Sequence, residues 1–358
     1  MVDEIERLKK HGGNIRQLAL EHGLAKKDIV DFSSNINPYG PPESVLETIK
    51  NAIDSVSEYP EQQAESLVAE ISSRLGISTE NVVAGNGTIE FIHILPQIFE
   101  PQKAILPVPS FTEYELALKK SGATIDYKKS FSRKETLLAL DEAADADIVF
   151  LGNPNNPCGY MIKKGDLLRA IDENTDCLWV IDEAFIDFTQ NCADESLVRE
   201  AVRRKNLIVL RSLTKIYSIP GLRVGYAVAG KDVTAKIRDA KYPWSVNSIA
   251  ISAGVAALRD SEFVRESVSK LMKEAKRFYA ALSNIEGLFA FEPDANFILV
   301  RIEKNLSAAK LQEMLLYRGF AIRDCSTYTG ICENYFRVAV KHPENNERLI
   351  NALKDILR

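Results

Sequence analysis

The sequence predicts an α/β fold, with a large domain built on a mostly parallel sheet and a smaller α+β domain after it. Two observations predict it. Between residues 80 and 230, short β-branched runs alternate with amphipathic stretches, the pattern of a parallel sheet covered on both faces. From about Trp244 that alternation gives way to a long helical stretch and then to a few short strands. At 358 residues the chain is long enough to bury two cores.

The strands are read from apolar, β-branched runs bounded by turn residues: Asn81–Ala84, Lys103–Leu106, Thr124–Tyr127, Asp147–Leu151, Cys177–Ile181, Leu207–Arg211 and Gly225–Ala229. Helical patterns such as Ile89–Phe99 and Phe111–Lys120 lie between most of them. Further on, a helical stretch runs to Leu282 with a break near Asp260, followed by a strand at Phe297–Ile302. A helix at Ala308–Arg318 puts Leu311 and Leu315 on one face. Short strands near Phe320–Arg323 and Tyr335–Val340 and a helix at Glu344–Leu357 complete the smaller lobe. The turn cluster Asn37–Pro42 closes an N-terminal segment expected to pack on that lobe. The expected division is an arm at 1–46, a large domain at 47–246 and a small domain at 247–358.

Composition narrows the function. A net charge of −5 argues against a nucleic-acid partner. No apolar run approaches the roughly 18–20 residues needed to span a bilayer. The N-terminus has no apolar core of a signal peptide. Five cysteines with no CxxC pair then point to a reducing cytoplasm. Four scattered histidines without HxxxH spacing argue against a dedicated metal site.

The chemistry-bearing residues fall just after the apolar runs, at Gly85–Thr88, Asn153–Gly159, Asp182–Phe185 and Ser212–Lys215. Ligands of open parallel sheets bind beyond the carboxyl ends of the strands. Lys215 follows a buried run and sits beside Ser212, Thr214 and Arg223. It reads as an amine that condenses with a carbonyl cofactor whose phosphate the neighbours hold. Pyridoxal phosphate would also need an acid at its ring nitrogen, and Asp182 is a candidate, though an aspartate after a strand can equally cap a helix. Gly87 and Thr88, between a strand and a helix, could offer backbone N–H groups to the phosphate. Such a turn is a weak signal alone, and Glu90 stands where a dinucleotide fingerprint needs its third glycine. Asn156 could donate to the cofactor's phenolic oxygen, and Phe111 or Tyr114 could stack on its ring, Phe111 being equally readable as a core aromatic. Arg337 and Arg323 stand in otherwise apolar strands, where an arginine calls for an anion.

With these residues collected, the chain resembles a fold-type I pyridoxal phosphate enzyme of the aminotransferase class I/II superfamily. Asn153–Gly159 (NPNNPCG), IDEAF, SLTKIYSIPGLRVGY and YFRVAV carry the resemblance, with Cys158 where threonine is common. It implies Lys215 as the cofactor's covalent anchor, Asp182 at the ring nitrogen, Asn156 at the phenolic oxygen, Arg223 at the phosphate and Arg337 at the substrate carboxylate. Two branches of the superfamily are similar: histidinol-phosphate aminotransferases and threonine-phosphate decarboxylases. HGGNIRQLA with DFSSNINPYG, Phe185 in DEAFIDF in place of a tyrosine, and YPWSVN resemble the decarboxylase branch, which feeds the nucleotide loop of cobalamin. The resemblance implies a small phosphorylated amino acid substrate with Arg323 at its phosphate. His11 and Asn14 from the arm would help, as would Tyr59 from the neighbouring subunit of a homodimer with a shared active site. His11 can also be read as merely packing the arm.

Overall fold

A computed structural model describes residues 11–358 of the chain. A helix at Ile15–Glu21 leads to a two-residue strand, β1 (Val30–Asp31). The large sheet then collects β2 (Val82–Gly85), β3 (Lys103–Val108), β4 (Thr124–Lys129), β5 (Ile148–Gly152), β6 (Leu178–Asp182), β7 (Leu207–Ser212) and β8 (Gly225–Val228). Their order is β2-β8-β7-β6-β5-β3-β4. Only β8 runs against its neighbours, so the sheet is mostly parallel, as the alternation predicts. Every residue of β5, β6 and β7 is buried, because helices lie on both faces. The seven strands match the runs read from the sequence to within two residues.

One face of the sheet shares a core with the helices at Glu65–Leu75 and Ser248–Arg259, around Leu67, Trp179 and Val209. The other is covered by the helices at Thr88–Phe99 and Thr112–Ser121, around Phe91, Phe150 and Leu210. Asp260 interrupts the long helical stretch, and its side chain caps the 23-residue helix Ser261–Ser283 at Phe263 N. The second sheet is antiparallel and contains β9 (Leu288–Ala290), β10 (Phe297–Ile302), β12 (Arg323–Asp324) and β13 (Tyr335–Ala339), in the order β12-β13-β10-β9. β11 (Phe320–Ala321) pairs in parallel with β1, so the N-terminal segment is stitched to the smaller lobe.

This topology decides where the site lies. The carboxyl ends of β2, β3, β5, β6 and β7 share one edge of the large sheet, and the amino end of β8 joins them there. The residues following those strands therefore converge on one crevice facing β12 and β13.

Candidate active site

A cavity of about 400 Å³ occupies that crevice. All nine residues expected to touch the cofactor line it, and so do His11, Arg323 and Arg337. Asn14 and Tyr59 do not line it. Tyr59 is 86 % exposed, with its ring 5.3 Å from that of Trp244.

Lys215 is in the short helix Leu213–Ile216 that follows β7 directly. Burial pushes its amine down to about 8, with Arg223 and Arg337 adding to the shift and Asp182 opposing it. An amine so placed is partly neutral near physiological pH and is a competent nucleophile. Asp182 ends β6. Burial pushes its carboxyl up to about 6, held back by donors from Tyr114 and the Ala184 N–H and by the Lys215 charge. Tyr114 O–H donates to Asp182 Oδ2 at 2.9 Å and Ala184 N–H to Oδ1 at 2.9 Å. Tyr114 thus serves the carboxylate, while Phe111 lines the open cavity.

One wall is built for an anion. Thr88 opens a 12-residue helix, whose N-terminus carries partial positive charge. Gly87 before it has φ +77°, and a Cβ there would lie 2.9 Å from Arg223 Nη2. Glycine therefore lets the guanidinium close in. Ser212 and Thr214 hydroxyls sit 2.8 Å apart on the same wall. A depressed amine, a buried carboxylate and this cradle fit a phosphorylated carbonyl cofactor with a basic ring nitrogen.

The opposite wall carries the two arginines. Arg323 and Arg337 are cross-strand partners in the β12–β13 pair, only 6 % and 5 % exposed. Arg337 donates Nη2 to Ser33 O at 2.8 Å and Nη1 to Asn156 Oδ1 and, at 3.3 Å, to Tyr328 Oη. Its buried Nε has no hydrogen-bond partner among the described residues. Arg323 Nη2 donates to Thr327 Oγ1 at 2.7 Å. Directly opposed like charges are unfavourable in a sheet, so this wall of the cavity suits an anionic ligand.

His11 reaches the cavity but turns its ring to Glu113: Nε2 lies 2.6 Å from Oε1, and His93 Nε2 is 2.7 Å from Oε2. The two histidines pull the Glu113 carboxyl down to about 2 against its burial. Phe185 lines the cavity edge-on to Phe297, with centroids 4.9 Å apart. Sequence reasoning missed Tyr328, Ser33 and Glu113. Ser33 lies within the DFSSNINPYG segment without being singled out there, Tyr328 and Glu113 stand in no motif, and only the return of β13 beside β12 brings Tyr328 between the arginines.

The profile of the family described as Aminotransferase class I and II matches residues 27–353. The chain belongs to this family. Its fold is that of the fold-type I pyridoxal phosphate enzymes, and its cofactor is pyridoxal 5′-phosphate. The chain is 36 % identical to a threonine-phosphate decarboxylase of Salmonella typhimurium, over 97 % of this chain and 96 % of that one. It is 32 % identical to a histidinol-phosphate aminotransferase of Methanocaldococcus jannaschii, over 99 % and 97 % respectively. A crystal structure of L-threonine-O-3-phosphate decarboxylase from Porphyromonas gingivalis superposes with a TM-score of 0.82 at 27 % identity, covering 91 % of this chain and 98 % of that one. The chain spans 41 % of an adenosylcobalamin biosynthesis bifunctional protein of Leptospira interrogans, to which it is 34 % identical. Among the described residues no helix is long and apolar enough to cross a membrane.

Proposed function

We propose that this enzyme decarboxylates L-threonine O-3-phosphate to (R)-1-amino-2-propanol O-phosphate. The observation that carries the reading is the buried pair Arg323 and Arg337, facing one cavity from adjacent strands. A single substrate with a carboxylate and a phosphate neutralises both at once. Histidinol phosphate itself has no carboxylate, so in an aminotransferase the same pair would meet a phosphate and a carboxylate only in turn, the latter from the dicarboxylate co-substrate. The similarity of the chain to decarboxylases in three of its segments, quoted above, supports the same reading. Serine phosphate is a close variant, because one methyl group is worth only about 1–3 kcal/mol of discrimination.

In this reading Lys215 anchors the cofactor, Asp182 holds the proton on the ring nitrogen, and Asn156 faces the phenolic oxygen. Gly87, Thr88, Ser212, Thr214 and Arg223 hold the phosphate, and Phe111 covers the ring. When bound, pyridoxal phosphate would supply an electron sink for the electrons of a bond broken at the substrate's Cα. The choice of bond is therefore made by the protein's own anchors. Arg337 takes the substrate carboxylate and Arg323 the substrate phosphate, and two fixed points orient the Cα between them. Lys215, partly neutral near pH 7, can carry a proton within the cavity.

We also infer a homodimer. Tyr59, Trp244 and Tyr242 form an exposed aromatic surface that a second copy would cover. Tyr59 would then serve the partner's cavity, and His11 would join the phosphate once it leaves Glu113. The deciding experiment incubates the protein with threonine phosphate and, separately, with histidinol phosphate plus 2-oxoglutarate. CO₂ release in the first supports the proposal. Glutamate from the second, with no CO₂ from the first, replaces it by an aminotransferase.

A further inference from the structure

Tyr328 lies in the loop between β12 and β13 and is 3 % exposed. Its two halves touch different arginines. The hydroxyl donates to Asn156 Oδ1 at 3.2 Å and accepts from Arg337 Nη1 at 3.3 Å. The ring face receives the Arg323 guanidinium, with Cζ 5.2 Å from the centroid. A tyrosine so held attracts one cation by its ring quadrupole and the other by its oxygen lone pair. It thereby offsets the repulsion between cross-strand arginines. Because Asn156 Oδ1 takes hydrogens from both Arg337 and Tyr328, the same contact fixes which way the amide points.

We propose that Tyr328 is a positioning residue that holds Arg337 and Arg323 at a fixed mutual angle and so sets the spacing between a substrate's two anions. The proposal deepens the decarboxylase reading and rests on the two arginines being its anion anchors. The two contacts separate chemically. Tyr328→Phe removes the hydroxyl and keeps the ring; Tyr328→Leu removes both.

The test measures binding to the holoenzyme by calorimetry and by the change in cofactor absorbance. The ligands are L-threonine, which has only the carboxylate, and 1-amino-2-propanol O-phosphate, which has only the phosphate. Tyr328→Phe should weaken threonine roughly tenfold, the worth of one hydrogen bond to a charged group, and leave the phosphate ligand within about twofold. Tyr328→Leu should weaken both by roughly tenfold. A merely structural tyrosine would weaken both ligands alike in the Phe variant. That result, or no effect of Tyr328→Phe on either ligand, overturns the proposal, as does a wild type that binds neither. If wild type binds both ligands but releases no CO₂ from threonine phosphate, the decarboxylase reading fails while the split between ligands still decides the role of Tyr328.

Discussion

Tyr114 O–H points at Asp182 Oδ2 over 2.9 Å, from a helix on the far side of the parallel sheet's edge. This donor favours the carboxylate form and opposes the burial that lifts Asp182 to about 6. Tyr114→Phe removes it, so the carboxyl should protonate at higher pH. The acid limb of the kcat/KM profile should then move upward, with the plateau above pH 8 little changed. A profile that stays in place would mean that Asp182 is not the group titrating there.

Lys215 should be the residue that binds the cofactor covalently. Borohydride reduction of the yellow holoenzyme followed by peptide mapping should label Lys215 alone. Lys215→Ala should abolish turnover and still retain cofactor through its phosphate. Lys241 is the natural rival, being buried with a lowered pKa, but it is committed to Glu90 and Ser245. Label on Lys241 would overturn the assignment.

The same lysine costs stability. Its pKa falls from 10.5 to about 8, so the folded apoprotein binds this proton less tightly than the unfolded chain. Stability therefore rises with pH between about 8 and 10.5, and the deficit is complete below 8. At roughly 1.4 kcal/mol per pH decade the deficit is on the order of 3 kcal/mol. Lys215→Met should make the apoprotein more stable by about that order at pH 7 in urea unfolding, and the gap should close near pH 10.5. A gap independent of pH would assign the difference to packing.

Phe185 gives the cavity an apolar edge where a tyrosine would offer a hydroxyl. An added donor stabilises an anionic oxygen nearby. Phe185→Tyr should shift the spectrophotometric titration of the bound cofactor to lower pH. An unchanged or upward shift would show that residue 185 does not face the phenolic oxygen.

Arg323→Ala should lower kcat/KM for threonine phosphate by about one to two orders of magnitude, since a charge-assisted contact contributes roughly 1.5–3 kcal/mol. Because a phosphate anchor also orients the Cα, kcat should fall along with affinity. CO₂ assays of wild type and variant on threonine phosphate and threonine measure it. Equal wild-type activity on both substrates would remove the phosphate-anchor role.

What the sequence discloses follows the range of the interactions involved. Lys215, Asp182, Asn156 and Gly87 are legible because each follows a β-branched run, and the parallel sheet brings all strand ends to one edge. Local periodicity suffices for that. β1 and β9 escape notice because two or three residues hold no period, and their pairing with β11 and β10 is fixed by the whole fold. Tyr328 is invisible for a related reason: its neighbours Asn156 and Arg337 are 172 and 9 residues away along the chain. His11 shows the limit of reading a residue type, since a carboxylate from the Thr112–Ser121 helix captures its ring.

The segment from Ser33 to Asn37 touches both ends of the cavity. Ser33 O holds Arg337, Ser34 O holds Lys341, and Asn37 N–H donates to the carbonyl of Lys215 itself at 3.1 Å. On the ribosome Arg337 follows those residues by some 300 positions. Lys215, the Gly87 and Thr88 turn and Asp182 are all translated before β12 and β13. Birth order thus puts the Lys215 wall of the cavity ahead of the arginine wall, and a chain cut short before β13 would keep Lys215 and Asp182 while lacking Arg337.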